Sequence, residues 1–247
     1  MGGVMSRIPK NPNEIFDQFV NDYKGIYGDD LVSIILYGSA AGKEYIPGRS
    51  DINFMIVLTD KGIGDPERSF GLVKKWVKRN VAVPLFLTEK YIETSTDVFP
   101  IEYLNFKRRY IPVYGKDLLK GLSLKKEFVR LQSEREIKGK LLLLRESYLG
   151  SSGRKEALTN IINQSLHAFV AIFNALLFMK DIEIPEGGRS LIIAMCNTFG
   201  LENNVFMKLI HIREGKIKPD EKELNRIFKD YLNEIHKLSK IVDELGG

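Results

Sequence analysis

LYGSAAGKEYIPGRSDINFMIVL, residues 36–58, sets two apolar runs on either side of a polar loop. The first run, LVSIILYG from Leu31 to Gly38, ends on a Gly-Ser pair, which predicts a buried strand followed by a turn. The second, DINFMIVL from Asp51 to Leu58, opens on Asp-Ile-Asn and then becomes wholly apolar. Side chains alternate along a strand, so Asp51 and Asn53 project to one side with Cα atoms roughly 7 Å apart. A glycine after a strand lets backbone N–H groups turn toward a phosphate without steric cost, and a following serine adds a hydroxyl donor. Gly-Ser alone is also an ordinary turn. Polar groups heading a neighbouring strand give it a further meaning, because magnesium takes hard oxygen ligands and often sits between one or two carboxylates and substrate phosphates. Two other phosphate loops are excluded. GSAAGKE has its glycine-to-lysine gap one residue short of a Walker loop, with Glu44 where Ser or Thr should stand, and the Rossmann fingerprint is missing.

The surrounding chain has 247 residues, 44% hydrophobic and 28% charged, as in an ordered globular protein of one large domain or two modest ones. Its single cysteine, Cys196, rules out an intrachain disulfide and fits a reducing interior. The opening MGGVMSRIPKNPNE lacks a signal-peptide core, and the longest apolar run, near Leu166 to Met179, is interrupted by His167 and Asn174 and is too short to span a bilayer. The expectation is a cytoplasmic protein without a membrane segment. A net charge of +5 mildly favours phosphate-bearing partners; nothing specific points to nucleic acid.

Periodicity predicts a helix over residues 12–27 capped by Asn13, a short helical turn at Ser39 to Lys43, a helix from Pro66 to Lys78 and an edge strand VAVPLFL from Val81 to Leu87 containing Pro84. A short helix capped by Thr88 follows, and VFPIEYLNFKRRY with IPVYG reads as one or two more strands. Strands alternating with helices indicate a mixed α/β domain. After Gly115 the pattern becomes helical: residues 123–149, 155–180, 188–199, 203–214 and Pro219 to Leu245. The second of these is apolar on nearly every side, as in the middle of a bundle. The expected organisation is an α/β domain at 1–118 and an all-α bundle of about four or five helices at 119–247.

Other chemistry is sparse. His167, His211 and His236 fall on three different helices, with no zinc spacing. Cys196 reads as a small core residue. The cluster from Lys107 to Tyr110, with Lys125, Lys126 and Arg130 beyond it, reads either as a charged surface or as a groove attracting a triphosphate or polynucleotide. Tyr103, Phe106 and Tyr110 read as packed strand residues.

Taken together, Gly38-Ser39 followed by Asp51-Ile52-Asn53 resembles the nucleotidyltransferase superfamily of DNA polymerase β, most closely its small prokaryotic members and the aminoglycoside nucleotidyltransferases. The helical half resembles the carboxy-terminal half of the kanamycin-type enzymes. The family pattern is a Gly-Ser turn, an Asp-x-Asp strand head and a third acid on a later strand. The resemblance implies that Gly38 and Ser39 bind nucleotide phosphates, with Arg49 and Lys43 steadying their charge. It implies that Asp51 and Asn53 are ligands of Mg2+ or Mn2+. In DVFPIEYLNFKRRYIPVYGKDLL it implies Glu102 as third ligand and base, with Asp97 the substitute. The implied reaction moves a nucleoside monophosphate from a triphosphate to a hydroxyl acceptor and releases pyrophosphate. Self-association into a homodimer is also implied, and a toxin–antitoxin role is disfavoured because a helical bundle is already fused.

The departure is Asn53. An amide oxygen can coordinate a metal but cancels no charge, so the alternative to an enzyme is a catalytically impaired nucleotide-binding or partner-binding module.

Overall fold

The run ending at Gly38 forms β1 (Leu31–Tyr37), and the run headed by Asp-Ile-Asn forms β2 (Asn53–Leu58), in a computed structural model that describes residues 8–245. The opening MGGVMSR, part of the stretch read above for a signal sequence, lies outside the described residues. β1 and β2 pair antiparallel, Leu36 opposite Phe54 and Tyr37 opposite Asn53. On the far side of β1 lies β4 (Tyr110–Gly115), also antiparallel; on the far side of β2 lies β3 (Leu85–Thr88), parallel, giving the order β3-β2-β1-β4. The parallel pair is bridged by α2 (Asp60–Ile63), a 3-10 turn at Pro66–Ser69 and α3 (Phe70–Val77).

One face of this sheet is covered by α1 (Phe16–Tyr27). Phe19, Tyr23 and Tyr27 of α1 pack with Ile34, Leu36, Phe54, Ile56 and Trp76 in a single apolar cluster. Phe19 stacks on Phe54 with ring centroids 4.0 Å apart, and the buried Trp76 Nε1 donates to the Asp22 carboxylate at 3.0 Å. Burying an indole N–H without an acceptor is costly, so this bond permits the largest side chain in the core. The helical run starts at Pro12 as expected, as a 3-10 turn that leads into α1, but its cap differs by two residues. Asn11 rather than Asn13 is the cap, its Oδ1 accepting from the Asn13 N–H at 3.0 Å, because Pro12 takes the first helical position.

Two strand expectations are corrected. Val81 makes only an isolated bridge to Ile52, and the strand proper starts after Pro84, at the sheet edge. VFPIEYLNFKRRY is not a strand: Pro100 opens α5 (Pro100–Arg108), after the short α4 (Glu89–Thr94) capped by Thr88. Tyr103 and Phe106 meet edge-on at 5.8 Å across one helical turn, not by strand alternation.

The contacts divide the chain into two units. One comprises the chain up to Thr96 with Tyr103–Ser123; the other comprises Asp97–Glu102 with the chain from Leu124 onward. The second unit contains α6 (Lys126–Ser151), α7 (Lys155–Met179), α8 (Gly188–Phe199), α9 (Asn203–Arg213) and α10 (Glu221–Glu244). α7 packs against all four of the others, through buried residues such as Leu166, Phe169, Phe173 and Leu176. Among the described residues α7 alone is long and apolar enough to cross a membrane, and half of its most apolar stretch is buried inside the bundle. Cys196 lies in the same core, where burial pushes its thiol up to about 12 and removes it from thiolate chemistry.

Gly115 shows how tightly the sheet is closed. Its φ is +75°, and a Cβ there would stand 2.0 Å from the Val32 carbonyl oxygen. Beside it the buried Ser33 hydroxyl bonds to the carbonyls of Tyr114 (3.1 Å) and Lys116 (2.7 Å). Gly115→Ala is therefore expected to cost about 2 kcal/mol or more. Urea denaturation of both proteins measures this, and an unchanged midpoint would contradict the close approach.

Candidate functional site

The loop from Gly38 to Ile52 leaves β1 and returns as β2, so both its ends lie at one edge of the sheet. Gly38 has φ +79°, a conformation that favours glycine, and opens a 3-10 turn over Gly38–Ala41. Its N–H donates to the Arg109 carbonyl at 3.1 Å. A Cβ at Gly38 would lie 3.7 Å from the Asn53 Nδ2, so the strand-head amide stands directly beside the turn. Asn53 is half-buried and its Nδ2 points to the Asp51 carbonyl at 3.4 Å. Asp51 is exposed, and its carboxylate has no bonding partner among the described residues. Ile52 between them is fully buried and bridged to Val81, which sets the two polar side chains on the opposite side.

Three contacts hold this loop. Arg109 receives the Gly38 N–H on its carbonyl and spans both Glu44 carboxylate oxygens with its guanidinium, a bidentate pair. Ser50 closes a tight turn, its hydroxyl accepting from the Ile46 N–H at 3.0 Å. Asn80 clamps the approach to Asp51 from both sides. Its Nδ2 donates to the Ser50 carbonyl at 2.8 Å, and its own carbonyl accepts the Ile52 N–H at 3.0 Å. Asn80 sits at φ +65°, a left-handed conformation that asparagine tolerates better than most residues. Sequence reading missed both Arg109 and Asn80. A signal for Asn80 existed: an asparagine just after a helix and before an apolar run marks a left-handed helix end.

The sequence-derived candidates separate accordingly. Gly38, Ser39, Lys43, Arg49, Asp51 and Asn53 all belong to this loop and its return. Lys43 and Arg49 are exposed, and neither side chain has a bonding partner among the described residues. The basic cluster beyond is partly consumed by structure: Lys107 donates to the Leu122 carbonyl and Arg109 pairs with Glu44.

Glu102 belongs to the Asp97–Glu102 segment, grouped with the second unit, and lies in the first turn of α5 instead of on a strand. There its carboxylate accepts from the buried Gln132 Nε2 at 2.8 Å, while Gln132 Oε1 accepts the Ile101 N–H at 2.9 Å. Gln132 thus satisfies an orphan donor at the start of α5. Asp97 is exposed. The later strand that does lie beside β2 is β3, and it carries no carboxylate. Leu85 pairs with Met55, two residues on from Asn53, so the face shared with Asp51 and Asn53 presents leucine at that point.

The metal-binding capacity follows from these donors. Among the described residues no three His, Cys, Asp or Glu side chains come together. One exposed carboxylate beside an amide fits a single divalent ion that takes its other ligands from phosphates and water. It does not fit a pair of divalent ions, whose charge two unit neighbours of this kind would leave uncompensated.

Removing the Asn80 clamp tests the loop's construction. Asn80→Gly keeps the backbone conformation and loses the side-chain bond, whereas Asn80→Ala adds strain, so Ala is expected to be less stable than Gly by about 1 kcal/mol. Hydrogen exchange at the Ile52 amide should accelerate in both variants; unchanged exchange would remove Asn80 from the account.

Comparison with family models and with curated proteins finds no match. Among solved structures, the chain is similar to spectinomycin adenyltransferase AAD(9) from Enterococcus faecialis, solved with ATP and spectinomycin. The identity is 14%, the alignment covers 89% of this chain and 99% of that one, and the TM-score is 0.48.

Proposed function

We propose that the loop between β1 and β2 binds a nucleoside triphosphate and that the protein is a nucleotidyltransferase, moving a nucleoside monophosphate to a hydroxyl on a second substrate. One observation carries this reading: the glycine turn at φ +79° and the unpartnered Asp51 carboxylate lie at the same end of adjacent strands, with Asn53 between them. In this reading the turn's N–H groups and the Ser39 hydroxyl hold phosphate oxygens, and Lys43 and Arg49 offset their charge. Asp51 and Asn53 would hold one Mg2+ or Mn2+. Bound there, the ion supplies charge neutralisation for the phosphates during displacement. Glu102 is the candidate to take the acceptor hydroxyl's proton. The bundle is the candidate acceptor-binding domain.

A second reading is favoured by a specific observation, the absence of a carboxylate on β3 together with the amide at Asn53. On that reading the site binds nucleotide without turning it over.

Pyrophosphate release, measured with a panel of nucleotides and hydroxyl acceptors in magnesium, distinguishes the two. The first reading expects release that falls about 100-fold or more in Asp51→Ala. In Glu102→Gln it expects a lower kcat with unchanged nucleotide affinity. Calorimetric binding of triphosphate with no release above the Asp51→Ala control would establish the second reading, and no binding at all would overturn both. Asn53→Asp is expected to tighten metal affinity on either reading, since it restores a charge at the same position.

A further inference from the structure

Residues 68–79, RSFGLVKKWVKR, carry five cations and no acid. The stretch holds α3, whose inner side is buried through Ser69 and Trp76, with Leu72 packed against the same apolar cluster. That core does not use the outer side. Phe70 is 68% and Val77 51% exposed, and Val73 between them is half-buried. Spaced i, i+3 and i+7, the three form one apolar strip along the helix. Lys74 and Lys78 flank the strip, both exposed, and Lys74 has no bonding partner among the described residues. Lys75 and Arg79 stand over the Trp76 ring and bond to Asp22 and Gln18 of α1, yet the Lys75 side chain stays 40% exposed. A Cβ built on Gly71, on the same side as the lysines, would meet nothing within 4 Å, so this side of α3 is open.

We propose that this face of α3 docks on an anionic lipid surface. Phe70, Val73 and Val77 enter the boundary between headgroups and acyl chains, and Lys74, Lys75 and Lys78 lie at the level of the lipid phosphates. Charge and shape select this occupant. The strip needs an apolar partner and the cations beside it need an anionic one, and a bilayer of anionic lipids supplies both within one turn of helix. A polynucleotide supplies phosphates but nothing for a phenylalanine flanked by two valines. An acidic protein partner needs a groove fitted to a convex helix, whereas fluid acyl chains adapt to it. Asp65 and Glu67, just before the strip, offset part of the charge and leave three cations in excess over residues 65–79. The contact is superficial: α3 has 8 residues, and a span needs about 20.

Co-sedimentation of the full chain with phosphatidylcholine vesicles containing about 30% phosphatidylserine is expected to show binding at least tenfold tighter than to phosphatidylcholine alone. Phe70→Ser, and separately Lys74→Glu with Lys78→Glu, should each weaken it about tenfold with an unchanged far-UV circular dichroism spectrum. Lys222→Glu with Lys229→Glu makes the same change in net charge on exposed positions of α10 and should leave binding unaltered. Depth is read by fluorescence, because Trp76 is the single tryptophan and is buried. In Phe70→Trp the added indole should be quenched by lipids brominated on their acyl chains, while the parent protein should not be. No binding to the phosphatidylserine vesicles at low salt, or an equal loss in the α10 variant, would overturn the proposal. So would binding that survives Phe70→Ser, the outcome for a purely phosphate surface such as a polynucleotide, or an indole at 70 that bromolipid leaves unquenched.

Discussion

Everything at the candidate site depends on one pairing, β1 against β2 with Tyr37 opposite Asn53. That register places the residue after Tyr37, the glycine that turns the chain, beside the residues that open the returning strand. A slip of one position would send Asp51 and Asn53 toward the apolar cluster around α1 and bring Ile52 out, which burial forbids. The loop between the strands is then fixed from neighbouring segments. Arg109 holds its beginning, through a carbonyl and a guanidinium, and Asn80 holds its end, through an amide and a carbonyl. The exposed carboxylate of Asp51 is thus presented by a backbone that is hydrogen-bonded on both sides.

The charges around that backbone are few. One carboxylate, one amide, two unpaired cations on the loop and a glycine turn suit a polyanion carrying one divalent ion. They suit a pair of divalent ions poorly. The position next along the sheet, where an acid could have joined Asp51, is Leu85. Glu102 is committed to a different task in the described structure, accepting from Gln132 at the start of α5. These particulars leave Asp51 as the one exposed carboxylate at the strand head and explain why binding and turnover need separate measurement.

Much of this was legible in the sequence. β1 and β2 announce themselves as apolar runs, and the core helix α7 as one apolar all round. The helices of the second unit follow from their period, since each has one face to bury. What failed did so for local reasons. VFPIEYLNFKRRY mixes alternation at Ile101 and Tyr103 with helical spacing at Ile101 and Leu104, and Pro100 was decisive as a helix opener. The same property of proline moved the first cap from Asn13 to Asn11. Arg109 and Asn80 escaped notice because their partners, Gly38 with Glu44 and Ser50 with Ile52, lie 28 to 71 positions away in the chain, although the asparagine after a helix was a local signal at Asn80. Nor could spacing reveal that Gln132, some thirty positions away, occupies Glu102.

The most direct measurement of the central claim is an amide NMR titration of the full chain with ATP and magnesium. The account expects the largest shifts at Gly38, Ser39 and the amides of the following turn, with a second group at Asp51 to Asn53 and little change in the sheet interior. Saturating nucleotide that leaves residues 38–41 and 51–53 unshifted, or that shifts a different surface, would contradict it.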